Sequence, residues 1–139
     1  MRIGAGILGV AAMVTALPTF AQELTLTVDN IKSSQGDLLV AVYDKEESYN
    51  ANANWVAVRK LPMATDKTMV LAFKDLPAGN YAVKLFQDEN GNGQIDKSSM
   101  GIPTEPYGFS NNGGAYGQPS FDEAKVSIKK ATRIDIHLR

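Results

Sequence analysis

From Leu24 onward, apolar and polar residues alternate with a period of two, and that period leaves little room for anything but sheet. Leu24, Leu26 and Val28 interleave with Thr25, Thr27 and Asp29. Successive strand side chains point to opposite faces, so this segment has one face for a core and one for water. The same period runs through Met69, Leu71 and Phe73 against Val70, Ala72 and Lys74, and through Tyr81, Val83 and Leu85 against Ala82, Lys84 and Phe86. Leu38–Tyr43 is apolar on both faces, as a central strand would be. Trp55–Leu61 reads as a short strand. Lys125–Lys129 and Thr132–Leu138 read as a closing hairpin, with Val126, Ile128, Ile134, Ile136 and Leu138 turned to the core and Arg133, Asp135 and His137 to water. Turn residues separate these runs at Ser33-Ser34-Gln35-Gly36 and at Asp75-Leu76-Pro77-Ala78-Gly79-Asn80, where Pro fixes φ and Gly relaxes it. The polar Asp44–Asn54 has room for one helical turn. Seven short strands and no long helix predict an all-β, antiparallel seven-stranded sandwich. Asp88–Ser120 carries no strand signal, and an irregular loop of that size in a compact domain is usually functional or ordered by an ion.

The first 21 residues follow a different logic. Arg2 is their only charge, an apolar run spans Ile3–Leu17, Pro18 breaks it, and Thr19-Phe20-Ala21 ends on a small residue. That is the order of a secretory signal peptide. The apolar run, about 15 residues, falls short of the roughly 20 that a bilayer span needs. Cleavage after Ala21 is therefore expected rather than a retained anchor: a signal peptide over 1–21, one domain over 22–139, a periplasmic or secreted location, and no stable membrane insertion after cleavage. The chain has no cysteine, so neither a disulfide nor lipid attached at cysteine can anchor it. Net charge is −1 and becomes one unit more negative without Arg2. Nucleic-acid binders need a concentrated basic patch. The mild basic bias of Lys125, Lys129, Lys130, Arg133 and Arg139 reads instead as solvated strand faces, and no nucleic-acid partner is expected.

The clearest chemical signal is Asp88–Asp96, Asp-Glu-Asn-Gly-Asn-Gly-Gln-Ile-Asp. Oxygen-bearing side chains fall at relative positions 1, 3, 5 and 9, as Asp88, Asn90, Asn92 and Asp96. Gly93 stands where a calcium loop turns sharply, Gln94 can offer its backbone carbonyl, and Ile95 can pin the loop to the core. Hard cations such as Ca²⁺ take six to eight oxygens at flexible distances, and this spacing wraps them around one point. The twelfth position is Ser99 instead of a bidentate Glu, and the loop leaves a strand instead of a helix, so it is not an EF-hand. Two carboxylates predict weak binding, in the roughly 10⁻⁴–10⁻³ M range of extracellular modules. Glu89 points away by alternation. The alternative is a plain Asn-Gly turn without an ion, since Asn and Gly suit positive φ.

Met100–Ser120 then brings prolines and glycines together with Tyr107, Phe109 and Tyr116. Aromatic rings within Gly/Asn/Ser loops suit recognition, which makes Tyr107, Phe109, Asn111 and Tyr116 candidate ligand contacts. Tyr107 and Phe109 can equally cover an open end of the sandwich. Catalytic signals are thin. His137 is the single histidine, on a polar strand face, and there is no Gly-x-Ser-x-Gly elbow. Gly91-x-Gly93 precedes no helix, so no phosphate loop is present.

Phe73–Val83 (Phe-Lys-Asp-Leu-Pro-Ala-Gly-Asn-Tyr-Ala-Val), the Asp88–Asp96 loop, Gly101–Asn112 (Gly-Ile-Pro-Thr-Glu-Pro-Tyr-Gly-Phe-Ser-Asn-Asn) and Gly117–Ala124 (Gly-Gln-Pro-Ser-Phe-Asp-Glu-Ala) together resemble the DUF2141 family of bacterial exported proteins. The resemblance covers nearly all of the chain after the leader. It implies an Ig-like or transthyretin-like sandwich and no particular activity. The expected function is a non-enzymatic exported binding module with a structural Ca²⁺ loop and a protein or glycan ligand at the aromatic segment. One competing reading is a carbohydrate-binding module stacking sugars on exposed, coplanar Trp55, Tyr107, Phe109 and Tyr116. Another is a hydrolase using Glu105, Asp122 or the Asp88–Asp96 carboxylates in a concave pocket.

Overall fold

A computed structural model of the protein describes residues 21–139. The expected signal peptide over 1–21 lies, apart from Ala21, outside the described residues. Among the described residues no helix is long and apolar enough to cross a membrane. The element order is β1 (Ala21–Asp29), β2 (Asp37–Tyr43), α1 (Glu46–Ala51), β3 (Ala57–Pro62), β4 (Met69–Pro77), β5 (Gly79–Asp88), β6 (Tyr107–Phe109), α2 (Phe121–Ala124), β7 (Val126–Ile128) and β8 (Thr132–His137). One sheet has the order β4-β1-β8; the other has the order β3-β2-β5-β6, with β7 also paired to β5.

The period of two builds the core as expected. Leu24, Leu26 and Val28 of β1 lie opposite Phe73, Leu71 and Met69 of β4, and all six are buried. From the second sheet come Leu38, Val40, Val42, Tyr81, Val83 and Leu85, and the inner faces of both sheets share one apolar cluster. β2 is the central strand its composition implied, flanked by β3 and β5. The turn after β4 carries the chain from one sheet to the other, and the Tyr81 hydroxyl donates to the Pro77 carbonyl across it.

Three expectations need correction. There are eight strands, because Tyr107–Phe109 inside the supposedly strandless loop pairs with Lys84–Phe86 of β5. The closing hairpin does not form: β7 pairs with the start of β5, whereas β8 pairs with β1. That last pairing is parallel, so the sandwich is not wholly antiparallel. The inward set of the hairpin nonetheless holds, with Ile128, Ile136 and Leu138 buried and Val126 and Ile134 packed against the core. Burial is set by alternation within each strand; the choice of partner is set by the rest of the fold.

The outer face of β5 supports a second cluster of Tyr43, Tyr49, Ala82 and Ala124, closed by Ala41 and Phe121. The polar segment after β2 does hold a helix, and Tyr49 seats it: its ring meets Tyr43 and Phe121 edge-on and its hydroxyl donates to Pro119 O at 2.8 Å. Lys84 pins the same helix. Its ammonium donates to Tyr49 O and Asn52 Oδ1 and lies 4.2 Å from the centre of the Tyr49 ring and 5.0 Å from that of Tyr43. Burial disfavours the charge and lowers its pKa from 10.5 to about 8. As pH rises, the folded chain then gives up this proton before the unfolded chain does. Stability attributable to Lys84 therefore rises between pH 8 and 10.5 and is flat outside that window. The amine is half exposed, and solvent screening reduces the gain to about 1–2 kcal/mol. Urea denaturation across this window is expected to show that rise in the native protein and to lose it in Lys84→Met; equal pH profiles for the two would refute the assignment.

Candidate functional site

The C-terminal ends of β1, β3, β5 and β8 and the N-terminal ends of β2 and β4 gather at one end of the sandwich. Register puts Asp37 beside both Asp88 and Pro62, Val28 beside Met69, and Asp29 beside His137. Gly36, at φ +75°, lets the segment before β2 close on Asp88: a Cβ there would lie 1.9 Å from the Asp88 carbonyl oxygen. Ser33 is thereby drawn in. Its hydroxyl accepts from Gln87 Nε2 at 3.0 Å and donates to Glu89 Oε2 at 3.4 Å. Gln87 is fully buried and also donates to Gln35 O at 2.8 Å.

Alternation along β5 turns Asp88 away from Gln87 and into the Asp88–Asp96 loop. Its carboxylate, 1% exposed, accepts from Asn92 N at 3.2 Å and Gly93 N at 2.8 Å. Gly93, at φ +80°, makes the sharp turn expected of it. Asn90 Oδ1 accepts from Asn92 N at 3.2 Å, and Asn92 Oδ1 from Gln94 N at 3.1 Å. The amide groups of Asn90 and Asn92 both donate to the Asp96 carboxylate, that of Asn92 at 2.7 Å. Asp88, Asn90, Asn92 and Asp96 are thus brought into one hydrogen-bonded ring. Gln94 is exposed and Ile95 half-buried. Among the described residues no three His, Asp or Glu side chains converge closely enough to hold a metal by themselves, and no Lys or Arg pairs with Asp88, Asp96 or Glu105.

Glu105 fastens this loop from outside. It is 5% exposed, and its two oxygens accept from Glu89 N and Asp96 N, each at 2.8 Å. One carboxylate therefore ties both ends of the loop together. Sequence reasoning singled Glu105 out only as one of several carboxylates. The signal that could have found its role is a single acidic residue held between Pro103 and Pro106. Asp122, its suggested catalytic partner, is exposed and paired with Lys125 at 3.0 Å, an unrelated environment.

The aromatic segment divides. Tyr107 and Phe109 pack edge-on at 5.9 Å with planes 70° apart. Phe109 is buried, and the Tyr107 hydroxyl donates to Gly114 O at 3.1 Å. These rings close the sheet edge and are not coplanar. Tyr116 is fully exposed and Trp55 about half. Tyr116 lies in the lining of an open groove of about 650 Å³ formed by the segment from Asn111 to Pro119.

The next three residues bind backbone. Ser110 Oγ accepts from Val83 N at 2.9 Å and donates to Ala124 O. Asn111 Nδ2 donates to Glu123 O at 2.9 Å and Lys125 O at 3.0 Å. Asn112 Oδ1 accepts from His137 N at 2.9 Å and its Nδ2 donates to Asp135 O at 3.2 Å. Asn111, expected as a ligand contact, thus commits its Nδ2 to the fold while also lining that groove.

Two stability comparisons follow from these environments. Glu105→Gln leaves one loop N–H facing an amide donor and is expected to cost about 1–3 kcal/mol, against about 0.5 kcal/mol or less for Asp122→Asn. Phe109→Ala is expected to cost about 3–5 kcal/mol, with Tyr116→Ala within about 0.5 kcal/mol of the native protein. Chemical denaturation reads both pairs, and similar losses within either pair would contradict the geometry.

A family model described as an uncharacterized protein conserved in bacteria (DUF2141) matches residues 26–135. No curated protein matches the chain, and no solved structure does.

Proposed function

This chain belongs to the DUF2141 family, and we propose that it is an exported, non-catalytic binding module. In this reading an Ig-like or transthyretin-like sandwich takes Ca²⁺ in the Asp88–Asp96 loop and offers the Tyr107–Tyr116 segment to a protein or glycan ligand. The Tyr81–Pro77 hydrogen bond across the turn between the sheets supports the Ig-like assignment, because a tyrosine corner of this type recurs in such sandwiches.

One observation carries the cation reading. Asp88 is 1% exposed, no basic side chain among the described residues pairs with it, and its hydrogen-bond partners are two N–H groups of its own loop. A buried carboxylate without a countercharge is costly. Ca²⁺ would supply that charge. The Asn90 and Asn92 amides already meet Asp96; turned over, they would present oxygens to the same centre, with the Gln94 carbonyl beside them. For the ligand, the support is Tyr116, whose ring is fully exposed next to the Asn111–Pro119 groove.

Calorimetric titration with Ca²⁺ is expected to show saturable heat in the millimolar range. At about ten times Kd the melting temperature should rise by roughly 5 °C, and Asp88→Asn with Asp96→Asn should abolish both effects. Absence of heat together with an unchanged melting temperature in the native protein would end the cation reading.

A further inference from the structure

A second feature at the same end of the sandwich stands independently of the cation loop. The parallel pairing of β1 with β8 sets Asp29 beside His137, where the Asp29 carboxylate meets His137 Nδ1. With Nδ1–H committed to that carboxylate, Nε2 is the free ring nitrogen, and the imidazole side chain is 54% exposed. The pair lines an open groove of about 700 Å³ whose wall also includes Lys32, Lys67 and Thr68. That volume is within the usual range for small-ligand sites.

Charge and placement favour one class of occupant. Neither Lys32 nor Lys67 has an ion-pair partner among the described residues. A backbone hydrogen bond from Ile31 N to Lys67 O at 3.4 Å brings the two lysine-bearing segments together. Asn30, in the left-handed region at φ 61°, donates to Leu138 O at 2.6 Å and fixes the same segment to the strand that carries His137. The one carboxylate lining the groove is already engaged by the imidazole. Two lysines without ion-pair partners and a histidine whose Nδ1 is engaged therefore line a common space. Ammonium groups only donate, and an imidazolium Nε2–H does the same.

We propose that this groove binds a small oxyanion, of the phosphate or carboxylate class, with Lys32 and Lys67 supplying charge and the imidazolium form of His137 donating its Nε2–H as the directional hydrogen bond. Asp29 is a positioning residue that holds the ring so that Nε2 faces the groove.

Because His137 is the single histidine of the chain, its ring resonances report on the site without ambiguity. Inorganic phosphate and acetate are titrated separately at constant ionic strength. A saturable shift of the His137 ring with phosphate alone assigns the phosphate class, with acetate alone the carboxylate class, and with both the shared oxyanion chemistry. The double variant Lys32→Gln/Lys67→Gln, changed only at exposed positions, is expected to bind at least about five-fold more weakly. Asp29→Asn is expected to shift the Nδ1–H/Nε2–H tautomer balance of the neutral ring, read from its ¹⁵N resonances without anion at alkaline pH, and to weaken anion binding at acidic pH, where the imidazolium donates. Linear, unsaturated drift with both anions, or equal titrations of the native protein and the lysine variant, would overturn the proposal; an unchanged tautomer balance in Asp29→Asn would overturn the role given to Asp29.

Discussion

Strand β5 is the element on which both faces of this molecule depend. Its inner residues Tyr81, Val83 and Leu85 belong to the core shared by the two sheets. Its outer residues Ala82 and Lys84 carry the helix-covered cluster. It pairs along one edge with β2 and along the other with β6 and β7. Alternation then decides the site: Gln87 turns inward to fasten the Ser33 segment, and Asp88 turns outward to start the loop. A slip of one residue would exchange these roles and place every apolar side chain of the strand on the wrong face. Burial of Tyr81, Val83 and Leu85 thus fixes the position of Asp88.

What could be read from the residues was local. Period-two burial in β1, β4 and β5, the two-sided apolar run of β2, the short helix after β2 and the sharp turn at Gly93 all follow from near neighbours along the chain. The hairpin expected between Lys125–Lys129 and Thr132–Leu138 does not form because each strand takes a non-local partner. β8 lies along β1, more than a hundred residues away in sequence, and adds Ile134 and Ile136 to the core; β7 caps the start of β5. Alternation says which face is buried but not against what. β6 escaped notice for a related reason. Three residues, Tyr107–Phe109, are too few to show a period, and what makes them a strand is the free edge of β5.

The site was legible in the same measure. Asp88, Asn90, Asn92 and Asp96 do converge, because their spacing is a property of one short loop. Glu105 was not assigned its role, because a carboxylate whose partners are backbone N–H groups leaves no pattern in side-chain spacing. Asn111 was expected at the ligand; its Nδ2 donates to two carbonyls, and the residue also lines the groove beside Tyr116. Asn is favoured in loops both for recognition and for its ability to satisfy backbone at positive φ, and only the fold decides between these uses. Together Glu105, Ser110, Asn111 and Asn112 show how a long insertion becomes ordered without regular structure. Each exchanges side-chain hydrogen bonds for the ladder that the segment lacks.

That ordering bears on how the two proposed sites relate. Lys32, at the proposed oxyanion groove, and Ser33, in contact with Glu89 beside the Asp88–Asp96 loop, are consecutive residues on one short connection. The connection is held at one end by Asn30 on the Leu138 carbonyl and at the other by Gly36 against Asp88. A cation held by Asp88 and Asp96 would add positive charge at the same end as Lys32 and Lys67, where the unpaired carboxylates otherwise offset them. Within about a Debye length of 8–10 Å such charges are felt directly, and beyond it they are screened. The short segment between β1 and β2 is what joins these two loops at this end of the sandwich.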